Sequence, residues 1–273
     1  MIALSKHRRT WNASVYQRYL REGRGQGAGA AYTPWIRIQD FSSKGMVSRA
    51  KGAKTGRVHH FLSNLEMAFF YLLDWSDDVL DICEQYPLID LSSAVEIAER
   101  AQIHYPYDAK SGFPYVMTSD FFISTINGPS AIAVKTSDEL SKPRVREKLE
   151  IERRYWDIHN VRWRVVTEKQ INRTKAKNIE WLSQASSLSH FGIHEEDREI
   201  YIAYFMVRYT EASDPLSRII CGIEQDFNLA PGMGLNIYKH LAYWKRIAFD
   251  VCDEVDGSIF TGKNQRQDAW WTS

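Results

Sequence analysis

Asp120 stands inside an otherwise apolar run, Met117-Thr-Ser-Asp-Phe-Phe-Ile123, where a buried strand has little use for a carboxylate. Lys135 closes the run Ala131-Ile-Ala-Val134 fifteen residues later, and Glu66 lies early in a segment of helical periodicity. An acid on one strand, a lysine on its hairpin neighbour and a helical glutamate over the sheet form an arrangement used to hydrolyse phosphodiesters with a divalent metal. Mg²⁺ takes oxygen ligands in octahedral geometry, usually only one or two of them protein carboxylates, and leaves positions for water and phosphate oxygens. One ion activates the attacking water and a second steadies the departing oxygen, while a nearby ammonium orients the water or neutralises developing charge. Each residue also has a plainer use. Glu66 could cap its helix, Asp120 could end a strand or pair with an arginine, and Lys135 could be a solvated strand-end lysine. The spacing arises often by chance and becomes persuasive only if the order of elements fits.

Periodicity and punctuation give that order. Ser63-Asn-Leu-Glu66 opens a helix running to about Trp75, with Leu65, Phe69, Leu72 and Leu73 on one side, and Ser63 and Glu66 have the capping-box spacing. Val79 to Leu88 alternates apolar and polar residues and meets a proline at its end, which predicts a strand. Val116 to Thr125 is a second strand, Asn127-Gly-Pro129 a turn and Ala131 to Thr136 a third strand, together a hairpin. Arg144 to His159 is a charged helix with Pro143 at its start, and Arg162 to Thr167 another strand. Helix, three strands, helix, strand make a mixed α/β core. After Glu168 the pattern changes: Lys175 to Leu188 and Pro215 to Phe227 read as helices. Glu199 to Thr210 is a long apolar helix or strand, and Asn236 to Asp250 a short helix or strand pair after the turn Pro231-Gly-Met-Gly234. The boundary falls near 168–174, giving a first domain over 1–168 with a basic N-terminal segment and a small, mostly helical domain over 169–273. The aromatics of that second domain (Tyr201, Tyr204, Phe205, Tyr238, Tyr243, Trp244) read mainly as core, and Trp270-Trp271 as a docking anchor or a packed tail.

The composition, 44% apolar, 13% aromatic and 25% charged over 273 residues, excludes a disordered, collagenous or disulfide-stapled chain. No apolar run approaches the ~20 residues of a membrane helix, and no secretory leader is read, so a cytoplasmic protein is expected. Cys83, Cys221 and Cys252 are odd in number and widely spaced, which argues against disulfides and a zinc site. The overall charge of +1 hides an asymmetry: residues 1–60 hold 12 Lys/Arg against Glu22 and Asp40, while 61–120 hold 2 bases and 11 acids. A basic first fifth interleaved with Trp11, Tyr16, Tyr19, Tyr32 and Trp35 suits a polyanion such as DNA, although a solvated N-terminal segment would look the same. The alternating glycines of Gly23-Arg-Gly-Gln-Gly-Ala-Gly29 are not a phosphate loop, because no Gly-Lys-Ser/Thr follows and no apolar strand precedes them. A flexible loop laid over another surface is expected there.

Several ungapped blocks resemble the TnsA endonucleases. They are Glu22-Gly-Arg-Gly-Gln-Gly27, Tyr32-Thr-Pro-Trp35, Lys54-Thr-Gly-Arg-Val-His-His60, Leu62-Ser-Asn-Leu-Glu66, Met117-Thr-Ser-Asp-Phe121, Val134-Lys135 and Lys148-Leu-Glu-Ile-Glu-Arg-Arg-Tyr-Trp156. The similarity spans about residues 20–185 and continues more weakly toward Asn236-Ile-Tyr-Lys239. It implies a restriction-endonuclease-like (PD-(D/E)xK) mixed-sheet core followed by a winged-helix-type domain. It also implies Mg²⁺-dependent nicking, with Mn²⁺ as a substitute, of double-stranded DNA at the 5′ ends of a transposon. The implied partners are a TnsB-like transposase, which cuts and joins the 3′ ends, and a TnsC-like ATPase regulator touched through the C-terminal domain.

Carried over by position, Glu66 and Asp120 match the active-site acids and Lys135 the active-site lysine. Two residues before that lysine the family pattern has Gln, but here stands Ala133, whose methyl group ligates nothing. The carbonyl of Val134 is expected to serve with Glu66 and Asp120 as a metal ligand. Glu150 and Glu152 are expected behind that site or on a solvated helix face. Arg24, Lys54 and Arg57 are expected to grip phosphates, which positions DNA without reading bases. Two other readings stand beside this one: a stand-alone restriction-like or junction-resolving nuclease, and a non-catalytic DNA-binding scaffold, which Ala133 favours.

Overall fold

The computed structural model describes residues 10–40, 47–211 and 214–255, and Trp270-Trp271 lie outside them. Two compact units meet at Ile171/Asn172.

Unit 1 is built on a four-stranded sheet. Its strands are β3 (Val79–Pro87), β4 (Thr118–Thr125), β5 (Gly128–Val134) and β6 (Arg162–Val166), in that order, after a separate hairpin of β1 (Ser48–Lys51) and β2 (Val58–Phe61). β3, β4 and β5 run antiparallel, with Phe121 opposite Ile132 and Thr125 opposite Gly128 across the β4–β5 turn. β6 returns parallel to β5, which requires a crossover, and the charged helix α5 (Pro143–Ile158) supplies it. The sheet is therefore mixed, as the family resemblance implied, within the mixed α/β core that the element order predicted. The helices named before α5 are α1 (Ala13–Arg21), α2 (Asn64–Trp75), α3 (Leu91–Arg100) and α4 (Ser137–Ser141).

Two apolar layers hold the sheet. On one side Phe61 of β2 packs at a tilt on Phe70 of α2 and Phe121 of β4, and Phe69 of α2 meets Phe121 edge-on, with ring centres 4.9–6.2 Å apart. On the other, Leu88, Ala94, Ala98, Ile151, Tyr155 and Trp156 join α3 and α5 to the sheet. Phe70 is fully buried and its ring centre lies 4.5 Å from that of His59. Phe70→Ala is expected to lower unfolding free energy by about 3–5 kcal/mol in urea titration; a loss under about 1 kcal/mol would show that α2 is not anchored there.

The glycine-rich stretch 23–29 is laid over β3, as expected, and is tied there by the Gly29 N–H, which donates to Asp81 at 2.9 Å. Gly25 has φ +73°, and a Cβ there would come within 2.3 Å of the Pro87 ring at the end of β3; at Gly27 it would meet the Ala31 carbonyl at 2.5 Å. Gly25 thus lets the backbone lie directly on the end of β3, and Gly27 lets the loop close on itself.

Unit 2 consists of α6 (Arg173–Ser183), α7 (Glu195–Glu211), α8 (Leu216–Asp226) and α9 (Met233–Tyr243), with no strand among its described residues. Glu199 to Thr210, which the sequence left open, is helix. The Pro231-Gly-Met-Gly234 turn is partly taken into α9, with left-handed Gly232 at its N-cap. Phe205, Tyr238 and Tyr243 are buried as expected, whereas Trp244 is 49% exposed. No helix among the described residues is long and apolar enough to cross a membrane, and the three cysteines are free.

Candidate active site

Glu66 is placed by the start of its own helix. Ser63 is the N-cap of α2 and accepts from the Glu66 N–H at 3.1 Å. The glutamate side chain then curls back: Oε1 accepts from the Ser63 hydroxyl at 2.9 Å and Oε2 from the Leu62 N–H at 3.0 Å. Capping and presentation are one geometry here, because both carboxylate oxygens are fixed at the mouth of the helix. Glu66 is only 6% exposed. Burial first, and then the Asp120 charge, raise its pKa above the ordinary value, against the pull of the Leu62 N–H and of Lys135.

Asp120 sits on β4 where the β4–β5 ladder ends. Its Oδ2 accepts from the Val134 N–H and from Lys135 Nζ, each at 2.6 Å, while Oδ1 has no hydrogen bond among the described residues. Lys135 follows β5 directly and also donates to the Val134 carbonyl at 3.0 Å. Burial would lower the lysine pKa, but the adjoining Asp120 carboxylate more than offsets this and holds the ammonium charged. Glu66, Asp120, Val134 and Lys135 are therefore one cluster. Among the described residues no group of three or more His, Cys, Asp or Glu side chains forms a metal site. The donor set available is two carboxylates and a backbone carbonyl, all hard oxygens, which suits an ion that keeps part of its water shell.

Glu152 lies behind the cluster and Glu150 does not. Glu152 on α5 accepts from the Ser119 hydroxyl at 2.6 Å and from Trp163 Nε1 at 2.9 Å. Burial, with Asp120 adding to it, pushes its carboxyl up to about 7. Glu150 faces outward between Arg153 and Arg154, whose hydrogen bonds hold it down at about 2. A cavity of about 460 Å³ opens beside the cluster between Thr118, Lys135, Glu139, Lys148 and Glu152.

The three expected phosphate contacts divide. Arg24 is 6% exposed and is turned inward: its guanidinium makes a two-point pair with Asp40 (2.6 and 3.2 Å), bonds Glu22 at 2.8 Å and lies 3.5 Å from the Tyr19 ring centre. Arg57 is equally committed, to Glu84 at 2.6 and 2.8 Å and to the Ile82 carbonyl. Neither guanidinium faces outward as the sequence reading assumed, because Asp40 and Glu22 hold Arg24 and the buried Glu84 holds Arg57. Lys54 is exposed. Arg24→Ala is thus expected to reduce stability by about 2–3 kcal/mol and to leave the salt dependence of DNA binding unchanged, whereas Lys54→Ala lowers that slope by about one. Binding titrations over a salt series distinguish the two.

Gln85 is a site residue the sequence reading missed. It is buried on β3, donates from Nε2 to Glu66 Oε2 at 3.3 Å and accepts at Oε1 from the Thr118 hydroxyl at 3.1 Å. The signal was present: Glu84-Gln85 puts two polar residues in succession where a half-buried strand should alternate.

Comparison with known proteins bears on part of the cluster, Glu66 lying before the matched segments. A family model described as TnsA-like endonuclease N terminal matches residues 76–168, covering Gln85, Asp120, Val134, Lys135 and Glu152. A second, TnsA endonuclease C terminal, matches 170–251. The Escherichia coli protein "Transposon Tn7 transposition protein TnsA" is 45% identical over 168 residues, a stretch that spans 60% of this chain and 60% of that protein. With both family models matched in tandem over well more than half of its length, this chain belongs to the TnsA endonuclease family.

Proposed function

We propose that the chain is a Mg²⁺-dependent endonuclease subunit of a heteromeric transposase, which hydrolyses the strand at the 5′ ends of the transposon while a TnsB-like partner handles the 3′ ends. The observation that carries this reading is the Glu66–Asp120–Lys135 cluster, of which Lys135 lines an open cavity. The mixed sheet, with its β4–β5 hairpin and parallel β6, supports a restriction-endonuclease-like core. Cytoplasmic action on DNA, and contact of unit 2 with a TnsC-like ATPase as a winged-helix-type module, follow from the family alone.

Glu66, Asp120 and the Val134 carbonyl would hold the ion, which when bound supplies Lewis acidity and an activated water. Mn²⁺ would substitute, being equally suited to oxygen donors. Glu66 is held by the Ser63 hydroxyl and the Leu62 N–H, with the Gln85 amide as a third donor, and so keeps its carboxylate aimed without help from the ligand. Lys135 stays protonated because Asp120 lies 2.6 Å away, and it places a positive charge where the phosphate gains negative charge. Ala133 is buried and offers no donor, so the ion is held by fewer protein groups than the family pattern provides. That feature alone favours the scaffold reading.

A duplex carrying the transposon ends, cut with and without the transposase and ATPase partners, tests the assignment. Cleavage that needs the partners supports the subunit reading. Equal cleavage by the isolated chain supports a self-sufficient nuclease, and none under any condition supports a scaffold.

A further inference from the structure

Strand alternation fails on two paired strands at one place. On β3, Glu84 bonds His59 on the β2 side of the sheet, and the next residue, Gln85, bonds Glu66 on that same side. On β4, Ser119 bonds Glu152 and Trp156 of α5, and Phe122 also packs on Trp156, at 5.4 Å. Of the two residues between, Phe121 packs on Phe69 of α2, and Asp120 accepts from the Val134 N–H and Lys135 Nζ at the end of β5. Tyr86 pairs with Ser119 and Glu84 with Phe121, so Gln85 and Asp120 are opposite each other. The backbone that makes this possible is strained: Gln85 has φ +49°, a left-handed conformation inside a strand and unfavourable for a residue with a Cβ.

We infer that Gln85 is a positioning residue of the hydrolytic site, whose side-chain amide fixes the Glu66 carboxylate for metal; the inference rests on the metal-dependent reading given above. The amide has one workable orientation. Thr118 donates its hydroxyl to Oε1, which leaves the NH₂ facing Glu66 Oε2; a flipped amide would set two acceptor oxygens against each other. A neutral amide also holds Glu66 without adding a third negative charge beside it and Asp120. The strain at φ +49° is what turns this side chain to the same face as Glu66, where an extended residue would point toward α5.

Gln85→Gly separates position from stability, because glycine accepts the left-handed backbone without strain while the side chain that carries the amide is removed. Mn²⁺ binding to the purified full-length chain is read by calorimetry, thermal unfolding by circular dichroism, and Mg²⁺-dependent cleavage with the partner transposase. Loss of such an outer partner weakens metal binding about 10–100-fold. The expected result for Gln85→Gly is that loss in Mn²⁺ affinity, a matching rise in the Mg²⁺ midpoint for cleavage, and a melting temperature no lower than that of the unsubstituted chain. Thr118→Val, which frees the amide to flip, is expected to show a smaller loss in the same direction and no further loss when combined with Gln85→Gly. Mn²⁺ affinity within twofold of the unsubstituted chain, or additive effects of the two substitutions, would overturn the role of Gln85 while leaving the nuclease reading intact. An unsubstituted chain that binds no Mn²⁺ would overturn both.

Discussion

Asp120→Ala is expected to reduce strand cleavage by at least about a thousandfold while the chain remains folded. One oxygen of Asp120 organises the centre of the site, taking the Val134 N–H and the Lys135 ammonium at 2.6 Å each. Its other oxygen is open to a ligand. Removing the carboxylate deletes the proposed metal ligand and frees the lysine at the same time, so the expected loss exceeds that of a single hydrogen bond. The Val134 N–H loses its partner, which costs about 1–3 kcal/mol in stability. Lys135 keeps part of its side chain at the surface and is not stranded. Lys135→Ala is expected to act in the same direction with less effect on metal binding, and Lys135→Arg not to restore activity, since a planar fork does not occupy the place of a compact ammonium. Cleavage and urea titration on the same preparations separate chemistry from folding. Cleavage undiminished by Asp120→Ala would favour a scaffold.

A second large effect is expected at Glu84, away from the chemistry. Glu84 is fully buried, with Arg57 at 2.6 Å and His59 at 2.8 Å; His59 in turn reaches Thr55 at 2.7 Å. Burial opposes the charge, but the hydrogen bonds from His59 and Arg57 prevail and hold the carboxyl at about 2, below its ordinary 4.5. A carboxyl depressed in the folded state stabilises the fold above its unfolded pKa, and that stabilisation is lost as pH falls through the folded value. The window is therefore pH 4.5 down to 2, and the shift corresponds to about 3 kcal/mol. Glu84→Gln leaves the buried Arg57 without a counter-charge and is expected to lower stability at pH 7 by about 3–5 kcal/mol. It is also expected to flatten the acid limb of the stability curve. Urea titrations from pH 7 to 2.5 measure both. An unchanged acid limb would mean that the network does not carry the linkage.

The core elements were legible because their signals are local. Ser63 and Glu66 announce the α2 start, the apolar run about Asp120 announces β4, and Pro143 announces α5. The spacing of Asp120 and Lys135 was legible for the same reason, since a short hairpin fixes which residues meet. Partners distant in sequence were less so. Arg24 and Arg57 looked like a DNA-facing surface because composition counts charges and not their neighbours; Asp40 and Glu84 meet them only through the fold. The β1–β2 hairpin went unread because Ser48–Lys51 is short and carries little apolar alternation. Helix α3, over Leu91–Arg100, followed a strand directly and was passed over. Glu150 and Glu152 were indistinguishable on paper, and only the helix phase puts one against Trp163 and the other among surface arginines.

The most direct test is strand-resolved mapping of cuts on an end-labelled transposon-end duplex, with the complete partner set, in Mg²⁺ and in EDTA. The result expected is cleavage of the 5′-end strand in Mg²⁺ that disappears in EDTA and in Glu66→Gln, while the partner's 3′-end cuts persist in that variant. Cleavage of the 5′-end strand at full rate by Glu66→Gln, or in EDTA, would contradict a metal-dependent centre built on these residues.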